Sequence, residues 1–338
     1  MATYKWSSAN GSWGTLQNWA PVDTSAAAVP GAGDTGVVQT GEVAVQGGLR
    51  VAATVRLGST NAAAAPVLDL GGSTVSVLTM PKALPPQPYA TVASPTQYGT
   101  VNVSGQSRIG SIALGASADL VRAPSPYGHG ALKAPDNLTV NLGAQAVLGA
   151  GFDVKDGSTL RVNGDGTTGF TASASTVHGG TVVIAAPVAG TATITMDNGA
   201  VISSTGEADA GTLELGGRVG AGVTIDIRMG TLLLDKPQLF AGTVGIRASE
   251  GTSSYGPQSV LLKGLAADSF SFDDAAHRMT LWSGNAVLDT LQFTADTTSS
   301  SFKTGPYASL DVLQTGDGVM LRGLYATSPA GAVELPRH

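Results

Sequence analysis

The 338 residues contain no cysteine, only 12% charged side chains and a formal net charge of −6, from 18 Lys and Arg against 24 Asp and Glu. Disulfides, thiolate metal sites and a cysteine nucleophile are thereby excluded, and the balance provides no general excess of positive charge for a phosphate backbone, so nucleic acid is not an expected partner. Disorder needs low hydrophobicity with high net charge, whereas 42% of these residues are hydrophobic, so the chain is read as folded.

The chain opens on MATYKWSSANGSW, which has neither a basic n-region nor an apolar h-region. No stretch reaches the ~18 apolar residues that span a bilayer, so no membrane insertion is expected. Trp6, Trp13 and Trp19 fall within the opening segment, followed by Pro21 and by Val29-Pro30-Gly31-Ala32-Gly33-Asp34-Thr35. Strand candidates then begin at Gly36-Val37-Val38 and Gly41-Glu42-Val43-Ala44-Val45.

From there a short cassette recurs: Gly, often with Ser or Thr, then alternating Val, Leu or Ile with small polar residues. It reads Gly72-Ser73-Thr74-Val75-Ser76-Val77, Gly99-Thr100-Val101-Asn102-Val103 and Gly157-Ser158-Thr159-Leu160-Arg161-Val162. It returns at Gly180-Thr181-Val182, Gly211-Thr212-Leu213, Gly230-Thr231-Leu232 and Gly242-Thr243-Val244. Similar alternation marks Ile112–Leu114, Leu138–Leu142, Ala192–Met196 and Val223–Ile227. No long window keeps apolar residues at helical spacing, so helix should be scarce. Proline-rich segments near 80–98 and 123–136, and a weaker one at Ser253–Pro257, cannot pair centrally in a sheet and should leave it as loops. Each carries a tyrosine, Tyr89, Tyr127 and Tyr255, as a candidate contact residue or simply a seat for its loop. After residue 269 the apolar residues become larger, through Phe270-Ser271-Phe272, Met279–Phe293 with Trp282, Val312-Leu313 and Val319–Leu321, a pattern consistent with antiparallel strands.

Period-2 alternation alone suits a sandwich, a barrel or a solenoid. Three features favour a solenoid. Hairpin dipeptides are few, mainly Asn10-Gly11, Asn163-Gly164 and Asn198-Gly199. Aromatics make up 5%, little for the space between two stacked sheets. Thr and Gly recur at equivalent cassette positions, where they would stack in ladders, with roughly 20 to 25 residues per turn of the coil.

The ordered set Trp6, Gly11-Ser12-Trp13, Asn18-Trp19, Pro21 and Pro30-Gly31-Ala32-Gly33-Asp34 resembles the opening of bacterial secreted β-strand-repeat proteins, the autotransporter-passenger-like surface adhesins. The C-terminal segment resembles the closing strands of the same group. The resemblance implies an all-β fold, a right-handed parallel β-helix (β-solenoid), with a Trp-rich N-terminal cap over 1–45, a coil over 46–268 and an antiparallel C-terminal cap over 269–338. A cap suits the physics, because a solenoid end exposes unpaired backbone and an apolar cross-section that bulky indoles can cover. The rival for the three tryptophans is an aromatic platform for sugars. A C-terminal membrane barrel does not fit into the residues after Leu288.

Chemistry is sparse. Asp273-Asp274 with His277 and Arg278 is the densest cluster, read as a solvated turn; Glu207 with Asp209, and Asp226 with Arg228, read as surface charge pairs. His129, His178, His277 and His338 lack ligand spacing. Asn163-Gly164-Asp165-Gly166 is one incomplete copy of a calcium-type glycine-rich motif. The expectation is therefore no catalytic residue, no metal and no cofactor. Trp6, Trp13, Trp19, Trp282, Tyr89, Tyr127 and Tyr255 are the candidate capping or assembly contacts. The expected role is a secreted, extracellular or cell-surface structural or adhesive protein that self-associates, with head-to-tail filament growth as one form and surface polysaccharide as a further partner. The alternative is a carbohydrate-active β-helix enzyme: a polysaccharide lyase, glycosidase or phage tailspike-like depolymerase.

Overall fold

Alternation of Val, Leu and Ile with Thr, Asn and Ser gives each short segment one apolar and one polar side, which a strand can bury and expose by turns. The structure, a computed structural model, describes residues 1–23, 26–80, 96–115, 135–155, 157–197, 210–246, 258–297, 310–323 and 329–337. The chain is all-β; the described residues include no α-helix, only 3₁₀ turns such as Leu16–Asn18, Ala62–Ala64 and Pro237–Leu239. No helix among them is long and apolar enough to cross a membrane. Two units are distinguished, Met1–Ser173 and Ala174–His338.

In the first unit the strands are β1 (Thr3–Trp6), β2 (Asn10–Ser12), β3 (Trp19–Pro21), β4 (Thr35–Val38), β5 (Glu42–Gln46), β6 (Arg50–Leu57), β7 (Val67–Gly71), β8 (Thr74–Thr79), β9 (Gln97–Ser104), β10 (Gln106–Leu114), β11 (Asp136–Leu142), β12 (Val147–Lys155), β13 (Thr159–Asn163) and β14 (Gly169–Ala172). One sheet runs β3-β1-β4-β6-β8-β10-β12-β14 and the other β2-β5-β7-β9-β11-β13, so the chain passes from sheet to sheet. Among the described strands of this unit the pairings are parallel except that of β1 with β3, with one isolated antiparallel bridge between Ser59 and Tyr98.

The second unit holds β15 (Ser175–His178), β16 (Thr181–Ile184), β17 (Val188–Ala189), β18 (Thr193–Asp197), β19 (Thr212–Leu215), β20 (Thr224–Ile227), β21 (Gly230–Leu234), β22 (Thr243–Ile246), β23 (Gln258–Lys263), β24 (Ser269–Asp273), β25 (Arg278–Ser283), β26 (Ala286–Phe293), β27 (Leu310–Gln314), β28 (Gly318–Gly323) and β29 (Val333–Glu334). β15-β18-β20-β22-β26 and β16-β19-β21-β23 are parallel runs. Direction changes after β23: β24-β25-β26 and β23-β28-β27-β29 pair antiparallel, as the sequence suggested for this region. Thr212 pairs with Thr231 and Thr224 with Thr243, each step nineteen positions and so slightly shorter than expected.

Parallel register places like residues over like. Val43, Leu68, Val101, Val140 and Val162 form one buried column, and Val45, Leu70, Val103 and Leu142 the next. In the second unit Val182, Leu213, Leu232 and Val260 do the same, beside Ile194, Ile225 and Val244. Hydroxyls align on the opposite side of these strands: Thr181, Thr212, Thr231 and the buried Ser259 lie in register, the last two 2.9 Å apart at their oxygens.

The strongest ladder is one the sequence reading overlooked. Asn163 Nδ2 donates to Asn141 Oδ1 at 3.0 Å, Asn141 Nδ2 to Asn102 Oδ1 at 3.1 Å, and Asn102 Nδ2 to Asp69 Oδ1 at 2.8 Å. Asn141 and Asn102 each donate in one direction and accept from the other, which only a parallel, in-register stack allows over several strands.

Two of the hairpin dipeptides are corrected. Asn10-Gly11 lies inside β2, paired parallel with β5, and Asn163 ends β13 before the chain crosses to the other sheet; Asn198-Gly199 lies outside the described residues. The proline-rich segments fall largely outside them too, but Gln97, Tyr98 and Asp136 already belong to β9 and β11.

Asn102→Ala removes both of that residue's ladder bonds and should cost about 1–2 kcal/mol in chemical denaturation, whereas Thr100→Ala in the adjacent outer row should change stability by less than about 0.5 kcal/mol.

Candidate functional site

The first unit's two sheets begin at β3 and β2, and the aromatic residues gather there. Trp6 and Trp19 are cross-strand partners in the β1/β3 pair, with ring centroids 5.2 Å apart and nearly perpendicular planes. Trp13 follows β2, held by its N–H on the Ala44 carbonyl at 3.0 Å, and its ring lies 4.5 Å from that of Trp19. Trp19 Nε1 donates to the Trp13 carbonyl at 2.8 Å. The three rings therefore pack edge to face, an arrangement that adds to their burial.

All three are 2–3% exposed, which removes the sugar-platform alternative, because no indole face is open to stack on a ring. Gly36 of β4 makes room beneath them: a Cβ there would meet Trp13 Cη2 at 2.6 Å and Trp19 Cη2 at 3.1 Å. Trp282 belongs to β25 in the second unit, half-buried, with Nε1 donating to Ser271 Oγ at 3.0 Å. Tyr89, Tyr127 and Tyr255 lie outside the described residues.

The backbone of these first strands is also occupied. Ala20 bonds inward across the antiparallel pair, leaving Trp19 and Pro21 to face away from β1. Trp19 N–H is taken by the Leu16 carbonyl and Pro21 has no N–H, so β3 presents no outward donor. On β2 the Ser12 carbonyl accepts from Thr15 N–H and Asn18 Nδ2, and the Asn10 carbonyl from Ser8 Oγ. In the second unit residues 333–337 do a similar service. Leu335 N–H donates to the Val312 carbonyl at 2.8 Å, Phe270 N–H donates to the Pro336 carbonyl at 3.1 Å, and Arg337 bridges Phe270. A single short segment thus ties edge strand β24 to β27, on which its own residues form the outermost strand β29.

The charged clusters are structural in form. Asp273 Oδ1 accepts from Ala275 and Ala276 N–H in the β24–β25 turn, with His277 at φ 48°, matching the turn expected there. Asp226 and Asp197 both engage Arg228, at 3.3 and 3.4 Å, and Lys263 lies 2.6 Å from Asp235 and 3.0 Å from Glu214. Asp165 caps its own turn through Thr167, which holds its carboxyl below the usual range. No group of three metal-ligating side chains exists among the described residues. Glu207, Asp209, His129 and His338 lie outside them. A shallow open cleft of about 280 Å³ between Arg218–Ala221 and Gln238–Ala241 is lined by Leu239 and Phe240, with Arg218 and Gln238 as its polar side chains.

Asp136 was missed. It is 1% exposed, accepts from Gly115 N–H at 2.7 Å through Oδ2, and has no partner for Oδ1 among the described residues. Ser158 Oγ accepts its backbone N–H. Burial pushes the carboxyl up to about 6, against a smaller downward pull from the Gly115 bond. The signal was present in the sequence, because Asp136 is in phase with the inward Leu138, Val140 and Leu142.

Comparison with protein families, with curated proteins and with solved structures finds no match to this chain.

Gly36→Ala should destabilise the protein by roughly 1–3 kcal/mol and shift tryptophan emission to the red, as the added methyl pries the indoles apart. For Asp136 the folded pKa lies above the unfolded value, so its stabilising contribution is complete below about pH 4 and fades as pH rises through about 6. The melting temperature of the native protein should therefore rise on acidification from pH 7 to 5 more than that of Asp136→Asn; equal slopes would show that Asp136 does not titrate there.

Proposed function

We propose that the chain is a β-solenoid, wound as a right-handed parallel β-helix, and that it serves as a structural or adhesive element on or outside a bacterial surface. The observation that carries this is the alternation of successive strands between two sheets with in-register parallel pairing, which a hairpin-built sandwich does not produce. Lack of cysteine, the low charge content and the resemblance of the Trp-rich opening support an extracellular setting. The three buried tryptophans act as the N-terminal cap, and the antiparallel strands from β24 onward, with segment 333–337, as the C-terminal one.

An adhesive solenoid must not grow uncontrollably, since unpaired edges template further strands. Pro21, the occupied Trp19 N–H and the strap at 333–337 would keep the protein discrete. In this proposal head-to-tail filament growth is the assembly mode that follows release of the strap, when β24 and β27 regain free edges.

Cryo-electron microscopy tests both parts. The native protein should image as discrete particles with strands stacked about 4.8 Å apart and winding in one direction. Leu335→Glu, which ejects a buried anchor of the strap, should lengthen them into fibres. Sheets that reverse direction throughout would remove the solenoid, and native protein that polymerises as readily as the variant would remove the role given to the strap.

A further inference from the structure

The outer face of the first unit's first sheet is cationic, although the chain as a whole is acidic. Arg50, Thr74, Arg108, Gly149 and Thr171 occupy one row across β6, β8, β10, β12 and β14. Lys5, Val37, Arg56, Thr79, Ala113 and Asp153 occupy a second across β1, β4, β6, β8, β10 and β12. Within each row the two nearest basic residues lie two strands apart, Arg50 and Arg108 in the first and Lys5 and Arg56 in the second, about 9.6 Å at ordinary strand spacing. β6 carries an arginine from each row, six positions and so up to about 20 Å apart, and the charges form two pairs, one toward each end of that strand.

None of these four side chains has a carboxylate partner among the described residues. The carboxylate in these rows, Asp153, lies 3.4 Å from Lys155. Between the tracks runs an uncharged row, Thr35, Thr54, Val77 and Ser111. Unpaired cationic groups held in pairs about 9.6 Å apart on a sheet are complementary to a polymer that carries repeated anionic groups.

We propose that this face binds a linear anionic polysaccharide, whose carboxylate or sulfate groups sit on Lys5, Arg50, Arg56 and Arg108. The inference rests on the adhesive reading above and names its partner. A second copy of the chain is the less fitting occupant: residues 174–338 hold fifteen acidic against nine basic side chains, but their strand-borne Asp197, Glu214, Asp226 and Asp311 are already engaged by Arg228, Lys263 and Arg322. Nucleic acid is disfavoured because no aromatic ring lies on the two tracks to stack on bases.

The test is a binding titration of the intact protein at low salt with polygalacturonate, dextran sulfate, neutral dextran and a single-stranded DNA oligonucleotide. One or both anionic polysaccharides should bind, their relative affinity telling carboxylate from sulfate, with neutral dextran inert and affinity falling as salt is added. Arg50→Gln/Arg108→Gln should weaken binding about tenfold or more, Lys5→Gln/Arg56→Gln should do likewise, and Arg161→Gln on the other sheet should bind as the native protein does. Unchanged circular dichroism keeps folding out of the comparison.

The proposal is overturned if neither anionic polysaccharide binds, if both double variants bind like the native protein, or if the oligonucleotide binds as tightly as the polysaccharides. It is also overturned if the double variants abolish self-association and nothing else, which would make the occupant a second copy. Images of the same samples separate the two readings: a stacked coil without polymer binding removes only the partner, whereas binding by a protein whose sheets reverse direction removes only the solenoid.

Discussion

In-register parallel pairing governs this molecule. When a strand pairs in parallel with an equivalent strand one step later, every side chain meets its counterpart about 4.8 Å away, and whatever a position holds is repeated along a row. Inside, the rule builds columns of Val, Leu and Ile, with Phe152 and Phe170 as larger buried members. Outside, it turns single amides and hydroxyls into ladders. It also forbids isolated errors, since a like charge stacked on a like charge repels along the whole row, and charged residues in these strands are accordingly sparse.

The same constraint leaves the outermost strands of a sheet as a problem, and each unit meets it with different chemistry. At the first strands three indoles pack over a glycine that leaves them room, while a proline and a 3₁₀ turn remove outward donors. After β23 most pairings are antiparallel, between strands with larger residues, although β26 still joins β22 in parallel, and a short final segment bonds to β24 and β27 at once. The tryptophans gather where repetition stops, and there side-chain volume is not constrained by a neighbour of the same kind.

The two polar departures from the pattern have different physical characters. Asp136 occupies an inward position and is tolerated through its bond to Gly115, at the cost of a carboxyl that resists ionisation. The arginine and lysine rows face outward and are unpaired, which costs little in water and leaves their charge available to a partner. A buried charge of this sort affects stability; an exposed set affects recognition.

The sequence by itself determined that the chain is all-β, where most of its strands lie, and that the direction of pairing changes in its last part. Those features follow from local alternation and from composition, which a reader of residues can see. Even the inward placement of Asp136 was present in the phase of Leu138 and Val140. What only the tertiary structure decided is which strand lies beside which, and everything that depends on it. Arg50 and Arg108 are fifty-eight positions apart in the chain and become neighbours but one only through Thr74. Asn102, Asn141 and Asn163 become a ladder only when intervening segments of unequal length are set aside. Phe270 meets Pro336 in the same way. Alternation is a property of a single strand, whereas register is a property of two, and irregular spacing between the cassettes hides the second while leaving the first in plain view.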